Sequence, residues 1–227
     1  MDLREITLAS GAHCTVAMPD LGLAAEPRSN AAPGQGPRRD SRLPLIISLH
    51  YGGPVSPWYG RGLLEQVVVP ALSELTAVMI APDCPADRWS DDICDAGVIA
   101  AMDYAIAELD ADPARVLLTG YSLGGIGTWA ITAAHPGRFS AAIVMAGLPP
   151  TEVDPSTWQV PVHAIQAGAD ELMPVAKTRA WIDALQAHNV AASLTVLDDV
   201  THFETHQFVA PLRATVPWIK SLWWPLP

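Results

Sequence analysis

Arg115-Val116-Leu117-Leu118-Thr119-Gly120-Tyr121-Ser122-Leu123-Gly124-Gly125-Ile126-Gly127-Thr128-Trp129 is the stretch that decides the fold. Val116-Leu117-Leu118 is an apolar run of strand type, and Ile126 to Ala134 reads as a helix. Between them, Gly120-Tyr121-Ser122-Leu123-Gly124 sets a serine on a sharp strand-to-helix turn. Glycines at both ends let the chain turn and leave room around the hydroxyl. The helix N-terminus offers backbone N–H groups and a positive dipole to a developing oxyanion, so Ser122 reads as a nucleophile.

Outward from this turn the chain alternates strand and helix. Ile6 to Leu8 and Cys14 to Met18 form an N-terminal hairpin through Ser10-Gly11. Strands follow at Leu45 to Leu49, Val78 to Ala81, Arg115 to Thr119, Ala141 to Met145, Val162 to Gln166 and Ser193 to Leu197. Helices are expected over Leu63 to Leu75 (containing Pro70), Asp91 to Leu109, Leu123 to His135, Pro174 to His188 and Phe208 to Leu222. This order predicts an α/β fold: one mainly parallel sheet with helices on both faces. Residues 27–42, rich in Pro, Gly, Ala and Arg, read as a surface loop. The segment Leu148 to Val160 is short, which predicts little or no cap over the site.

Composition sets the surroundings. At 227 residues the chain suits a single domain, 1–227, with one substantial core. No apolar run reaches the roughly 18 residues of a membrane span, and the N-terminus lacks the basic and apolar pattern of a secretory signal, so a cytoplasmic location is expected. The net charge of −11 speaks against nucleic acid and anionic membrane as partners. Cys14, Cys84 and Cys94 show no metal-type spacing and read as reduced structural thiols.

Active sites in such sheets form at the carboxyl ends of the strands. Four ends carry chemistry: His50-Tyr51-Gly52-Gly53-Pro54, Ser122, Asp170 within Gly168-Ala169-Asp170-Glu171, and His202 within Val200-Thr201-His202-Phe203. A serine hydroxyl is a poor nucleophile until an imidazole takes its proton, and a carboxylate fixes the tautomer of that imidazole. Ser122, His202 and Asp170 supply the three groups. His206, Glu171, Asp198 and Asp199 are the rival members. The trio His202, Glu204 and His206 lacks a zinc-protease pattern and reads as coincidental, so no metal is expected.

Leu45 to Pro54, Ala81-Pro82-Asp83-Cys84-Pro85 with Trp89, and Arg115 to Trp129 resemble the α/β-hydrolase superfamily, within it the lid-poor branch of bacterial carboxylesterases, polyester-depolymerase-like and feruloyl-esterase-like enzymes and predicted peptidases. The likeness runs from about Leu45 to Phe203 and implies ester hydrolysis through an acyl-serine. Where much of that family has His-Gly, this chain has His50-Tyr51. Matching the pattern puts the first oxyanion N–H at Gly52, with Tyr51 next in line, and the second at Leu123. His50 reads as structural. A dienelactone-type hydrolase is expected to carry cysteine at this turn, so Ser122 disfavours that assignment.

Trp89, Trp58, Met173 and Phe203 are the candidate substrate-binding residues, lying beside the expected catalytic turns. The C-terminal Trp223-Trp224 pair reads as core unless it caps a homodimer contact. No nucleotide or flavin fingerprint is present and no cofactor is expected. The sequence thus points to a serine carboxylesterase acting on small to medium esters. A peptidase, thioesterase or amidase with the same triad, or a non-catalytic binding protein of this fold, is the alternative.

Overall fold

The computed structural model describes residues 1–21 and 42–225. Most of the proposed surface loop at 27–42 therefore lies outside the described residues. Eight strands form one sheet: β1 (Asp2–Thr7), β2 (His13–Met18), β3 (Leu43–Leu49), β4 (Val78–Pro82), β5 (Ala111–Tyr121), β6 (Ala141–Met145), β7 (Val162–Ala167) and β8 (Ala192–Leu197). Their order is β1-β2-β4-β3-β5-β6-β7-β8. β1 and β2 are antiparallel, as are β2 and β4, and every pairing from β4 to β8 is parallel. The expected mainly parallel α/β sheet is thus the observed one.

Alternation along the strands divides the core in two. Leu45, Ile47 and Leu49 of β3, with Val116 and Leu118 of β5, point to one face, packed against the helices Asp92–Glu108, Leu123–Ala134 and Val175–Ala187. Ile46, Leu117, Ile143 and Ile165 point to the other, beneath the helical stretch 61–75 and the C-terminal helices Val209–Ala214 and Val216–Trp223. Successive side chains on a strand face opposite sides, so both faces of these near-continuous apolar runs are buried.

Two helices depart from their simple expectation because of proline. The stretch 61–75 is not one α-helix: it passes through a π-turn at Leu64–Val68 before the short helix Val69–Leu72. Pro70 has no N–H and its ring crowds the carbonyl four residues back, which the wider turn accommodates. The terminal helix breaks at Thr215, where Pro217 opens a new segment. Between β6 and β7 the only helical turn is Pro155–Thr157, and no cap domain stands among the described residues. No described helix is long and apolar enough to cross a membrane.

The cysteine expectation is corrected. Cys84 and Cys94 form a disulfide, with Cα atoms 4.9 Å apart. Cys94 lies in the first turn of the helix Asp92–Glu108 and packs back onto the end of β4, which brings together two residues that the ten-position spacing did not pair. Cys14 remains a buried free thiol, its pKa pushed up to about 12 by burial and then by the charge of Asp83.

Candidate active site

Ser122 stands at φ 55° and ψ −114°, a conformation disfavoured for a residue with a side chain. Neighbours on both sides hold it there. Its N–H donates to Met145 O at 3.0 Å, and its carbonyl accepts from Ile126 N–H at 2.9 Å. The flanking glycines are required by contact: a Cβ at Gly120 would lie 2.2 Å from Gly124 O, and one at Gly124 would lie 2.0 Å from Leu49 O. Strand β5, the end of β3 and the first helical turn touch backbone to backbone, which thrusts the serine out of the sheet edge.

His202 arrives from the loop after β8, and Asp170 from the loop after β7. Ser122 Oγ lies 2.8 Å from His202 Nε2, and His202 Nδ1 lies 2.8 Å from Asp170 Oδ2. The Asp170 side chain is wholly buried and that of His202 is 4% exposed. A carboxylate only accepts, so Nδ1 carries the proton and Nε2 is left to accept from the serine. The second oxygen of Asp170 accepts from the N–H groups of Leu172 and Met173 at 2.9 and 2.7 Å. Those two bonds compensate its burial and fix its rotamer.

The rival residues stand elsewhere. Glu171 is exposed and accepts from His202 N–H at 3.4 Å, which steadies the histidine loop. His206 is exposed on the 3-10 turn Thr205–Phe208. Asp199 occupies a turn with φ 60°. Among the described residues no cluster of His, Cys, Asp and Glu is arranged to hold a metal ion.

Gly52 and Leu123, the residues expected to donate to an oxyanion, are neighbours in space: a Cβ on Gly52 would meet the Leu123 side chain at 3.7 Å. Tyr51 is half-buried, its ring set edge-on to Tyr59 and Tyr121 with centroids 5.8 and 6.4 Å away. His50 is buried; its Nδ1–H donates to Tyr51 O at 2.8 Å, and its Nε2 accepts from Cys84 N–H at 3.0 Å. Burial lowers its pKa and keeps it neutral.

The four candidate substrate-binding residues stand in different surroundings. Trp89 is 1% exposed and wedged between His50 and the helix Leu123–Ala134, where a Cβ on Gly127 would lie 2.3 Å from the Trp89 Cβ. It supports the site from behind and does not wall a pocket. Trp58 turns to the N-terminal hairpin, donating its indole N–H to Ile6 O at 3.2 Å and packing on His13. Met173 serves Asp170 through its main chain. Phe203 is 72% exposed, with its ring 5.4 Å from that of His202, at the rim beside the nucleophile.

Two residues not singled out by sequence matter for this geometry. Asp83, at the end of β4, accepts from Trp58 N–H at 2.6 Å and Gly60 N–H at 2.9 Å, tying down the loop that leaves Gly53. Its place just past a strand was the available signal. Tyr121 donates its phenolic proton to His202 O. Burial, followed by the charges of Asp170, Glu171 and Glu204, pushes its pKa up to about 12, so the phenol stays a donor. Nothing local in the sequence marks that bond.

Comparison with known proteins places this chain in a family. A feruloyl esterase B of Neurospora crassa is 25% identical over an aligned length of 158, covering 63% of this chain and 47% of that protein. The chain thus spans about half the length of that curated relative. A puromycin-hydrolyzing peptidase of Mycobacterium tuberculosis superposes with TM-score 0.67 at 16% identity, over 96% of this chain and 40% of that one. A thermophilic esterase of Thermogutta terrifontis superposes with TM-score 0.64 at 14% identity, over 97% and 91%. At these identities the two structures bear on fold alone. The family model of the dienelactone hydrolases matches residues 86–214, which include Ser122, Asp170 and His202. That match corrects the expectation that a serine at the turn argues against such a family. Within the α/β-hydrolase superfamily, the chain belongs to the dienelactone hydrolase family.

Proposed function

We propose that this protein is a serine carboxylesterase that cleaves small to medium carboxylic esters through an acyl-serine intermediate. The observation that carries the reading is the unbroken line from Ser122 Oγ through His202 to Asp170, two hydrogen bonds of 2.8 Å each, beside a glycine loop. In the first half-reaction His202 Nε2 takes the hydroxyl proton as Oγ adds to the ester carbonyl. The oxyanion that forms is stabilised by the N–H groups of Leu123 and of Gly52 or Tyr51. Collapse expels the alcohol, which receives the proton from His202. Water then enters, gives a proton to His202, and adds to the acyl-serine; the acid departs and Ser122 regains its hydrogen. Asp170 stays ionised throughout and stabilises the imidazolium.

The feruloyl esterase relative supports an ester as the bond cleaved. The absence of a cap among the described residues supports a small or medium ester over a long lipid. No step calls for a cofactor or a metal. The disulfide weighs against the cytoplasmic expectation and in favour of an oxidising compartment.

Hydrolysis of a p-nitrophenyl ester series from acetate to long-chain acyl groups, by wild type beside Ser122→Ala, tests the reading. Turnover of the short and medium esters, lost in the variant, is the expected result. A folded wild type that is inactive throughout the series overturns it and directs attention to peptide, amide or thioester bonds.

A further inference from the structure

Of the two peptides that carry the candidate oxyanion amides, one is held from behind by Trp89 and the other by His50, which Cys84 in turn orients. The peptide between His50 and Tyr51 bears the Tyr51 N–H, and its carbonyl accepts from Trp89 Nε1–H at 3.1 Å. The next peptide bears the Gly52 N–H, and its carbonyl accepts from His50 Nδ1–H at 2.8 Å. The described chain contains no cis peptide bond. In a planar trans peptide the N–H points opposite the C=O, so anchoring each carbonyl aims the amide on its far side.

His50 is itself oriented by the same loop. Cys84 N–H donates to its Nε2 at 3.0 Å, which leaves the ring proton on Nδ1, where the Tyr51 carbonyl needs it. Cys84 and Trp89 both belong to residues 84–94, closed into a ring by the Cys84–Cys94 disulfide. Trp89 is locked between the His50 ring, 4.8 Å away edge-on, and Gly127 of the helix that follows Ser122. The loop therefore touches the nucleophile's helix on one side and, on the other, the first oxyanion peptide directly and the second through His50.

We propose that the disulfide-closed loop 84–94 positions the oxyanion hole, with Trp89 and His50 as the positioning residues through which it aims the Tyr51 and Gly52 amides. This inference rests on the serine-hydrolase reading above. An amide aimed at an oxyanion acts once charge has developed on that oxygen, so its misalignment lowers kcat and leaves KM nearly unchanged. Opening the disulfide with a dithiol has the same consequence. The reductant gives two electrons and two protons, becomes a cyclic disulfide itself, and leaves Cys84 and Cys94 as thiols.

The test compares Trp89→Phe, His50→Leu, His50→Asn and the Cys84→Ser/Cys94→Ser pair with wild type, oxidised and dithiol-treated. Hydrolysis of p-nitrophenyl acetate is measured per active site counted with a fluorophosphonate. Expected are a fall in kcat of about tenfold in Trp89→Phe and about a hundredfold in His50→Leu, with KM held within about twofold. Affinity for a trifluoromethyl ketone, which forms a tetrahedral oxyanion on the serine, falls in step with kcat. His50→Asn regains most of the loss, because its side-chain amide can replace the Nδ1–H donor. In wild type, activity declines in parallel with the appearance of two thiols beyond Cys14. Unchanged kcat per active site in Trp89→Phe and in the reduced enzyme, with only a lowered Tm, overturns the proposal and leaves the loop a stabilising element. Failure of oxidised wild type both to label and to turn over ester strikes the serine-hydrolase reading itself.

Discussion

Tyr121, the residue immediately before the nucleophile, donates its phenolic proton to the main-chain carbonyl of His202, 81 positions later in the chain. The strand that presents the serine thus also grips the loop that presents its base. The phenol ring packs edge-on against Phe208 at 5.0 Å, which anchors the start of the C-terminal helices to the same point.

Removing that hydroxyl leaves a buried carbonyl without its donor, at a cost of about 1–3 kcal/mol. Tyr121→Phe is therefore expected to lower Tm by about 2–10 °C and to reduce kcat as the His202 loop loosens. A thermal melt run beside ester kinetics checks both; an unchanged melt shows the bond to be without weight.

Asp170 is buried on three hydrogen bonds, one from His202 and two from the N–H groups of Leu172 and Met173. Asp170→Asn keeps the shape but lets the amide donate toward Nδ1, which favours the wrong imidazole tautomer. Turnover is expected to fall by about 10⁴-fold while the fold is retained. Circular dichroism with ester kinetics decides, and a loss below tenfold would assign the acid to another carboxylate.

The glycines of this chain give opposite responses to alanine. At Gly124 the added methyl would meet Leu49 O at 2.0 Å and His50 O at 2.6 Å, so Gly124→Ala should destabilise by at least about 3 kcal/mol. At Gly97, within the helix Asp92–Glu108, nothing lies within 4 Å of the added Cβ. Gly97→Ala should stabilise by about 0.5–1 kcal/mol through helix propensity. Urea titration of both variants measures the two signs, and a neutral Gly124→Ala contradicts the close packing described.

His163 bridges β7 and β8 through Ser193 Oγ and Thr195 Oγ1 at 2.8 and 2.9 Å, and burial lowers its pKa from the ordinary 6.5. The unfolded chain therefore binds this proton more tightly than the folded one. Its contribution is fully present above pH 6.5 and is lost as pH falls from there through the lower folded value. Unfolding free energy should decline below pH 6.5 in wild type and decline less steeply in His163→Gln. Parallel curves for the two proteins count against the assignment.

Much of this was legible in the sequence because it is local. The apolar runs at Leu45 to Leu49 and Val116 to Leu118, buried on both faces, announce central parallel strands. The Gly120 to Gly124 turn carries its own reason, since only glycine fits where the backbones of Leu49 and Gly124 meet. The helix around Pro70 was harder to read, because the π-turn at Leu64–Val68 answers a proline that follows it. Trp58 and Trp89 each follow a strand end near the site, and position along the chain does not say which way an indole faces: one donates to Ile6 O and the other to His50 O.

By itself, then, the sequence determined the strand and helix order, the nucleophile's turn, and the residue types that line up along the carboxyl edge of the sheet, since periodicity and turn chemistry act within a few residues. Tertiary structure alone decided what depends on directions in space. It brought Cys84 within bonding distance of Cys94, gave the Tyr121 phenol to His202, buried Trp89 behind the site, and turned His50 so that its two nitrogens serve two different peptides. A hydrogen bond or a disulfide needs a distance and an angle between groups that the chain keeps far apart until the sheet assembles, and no local pattern encodes either.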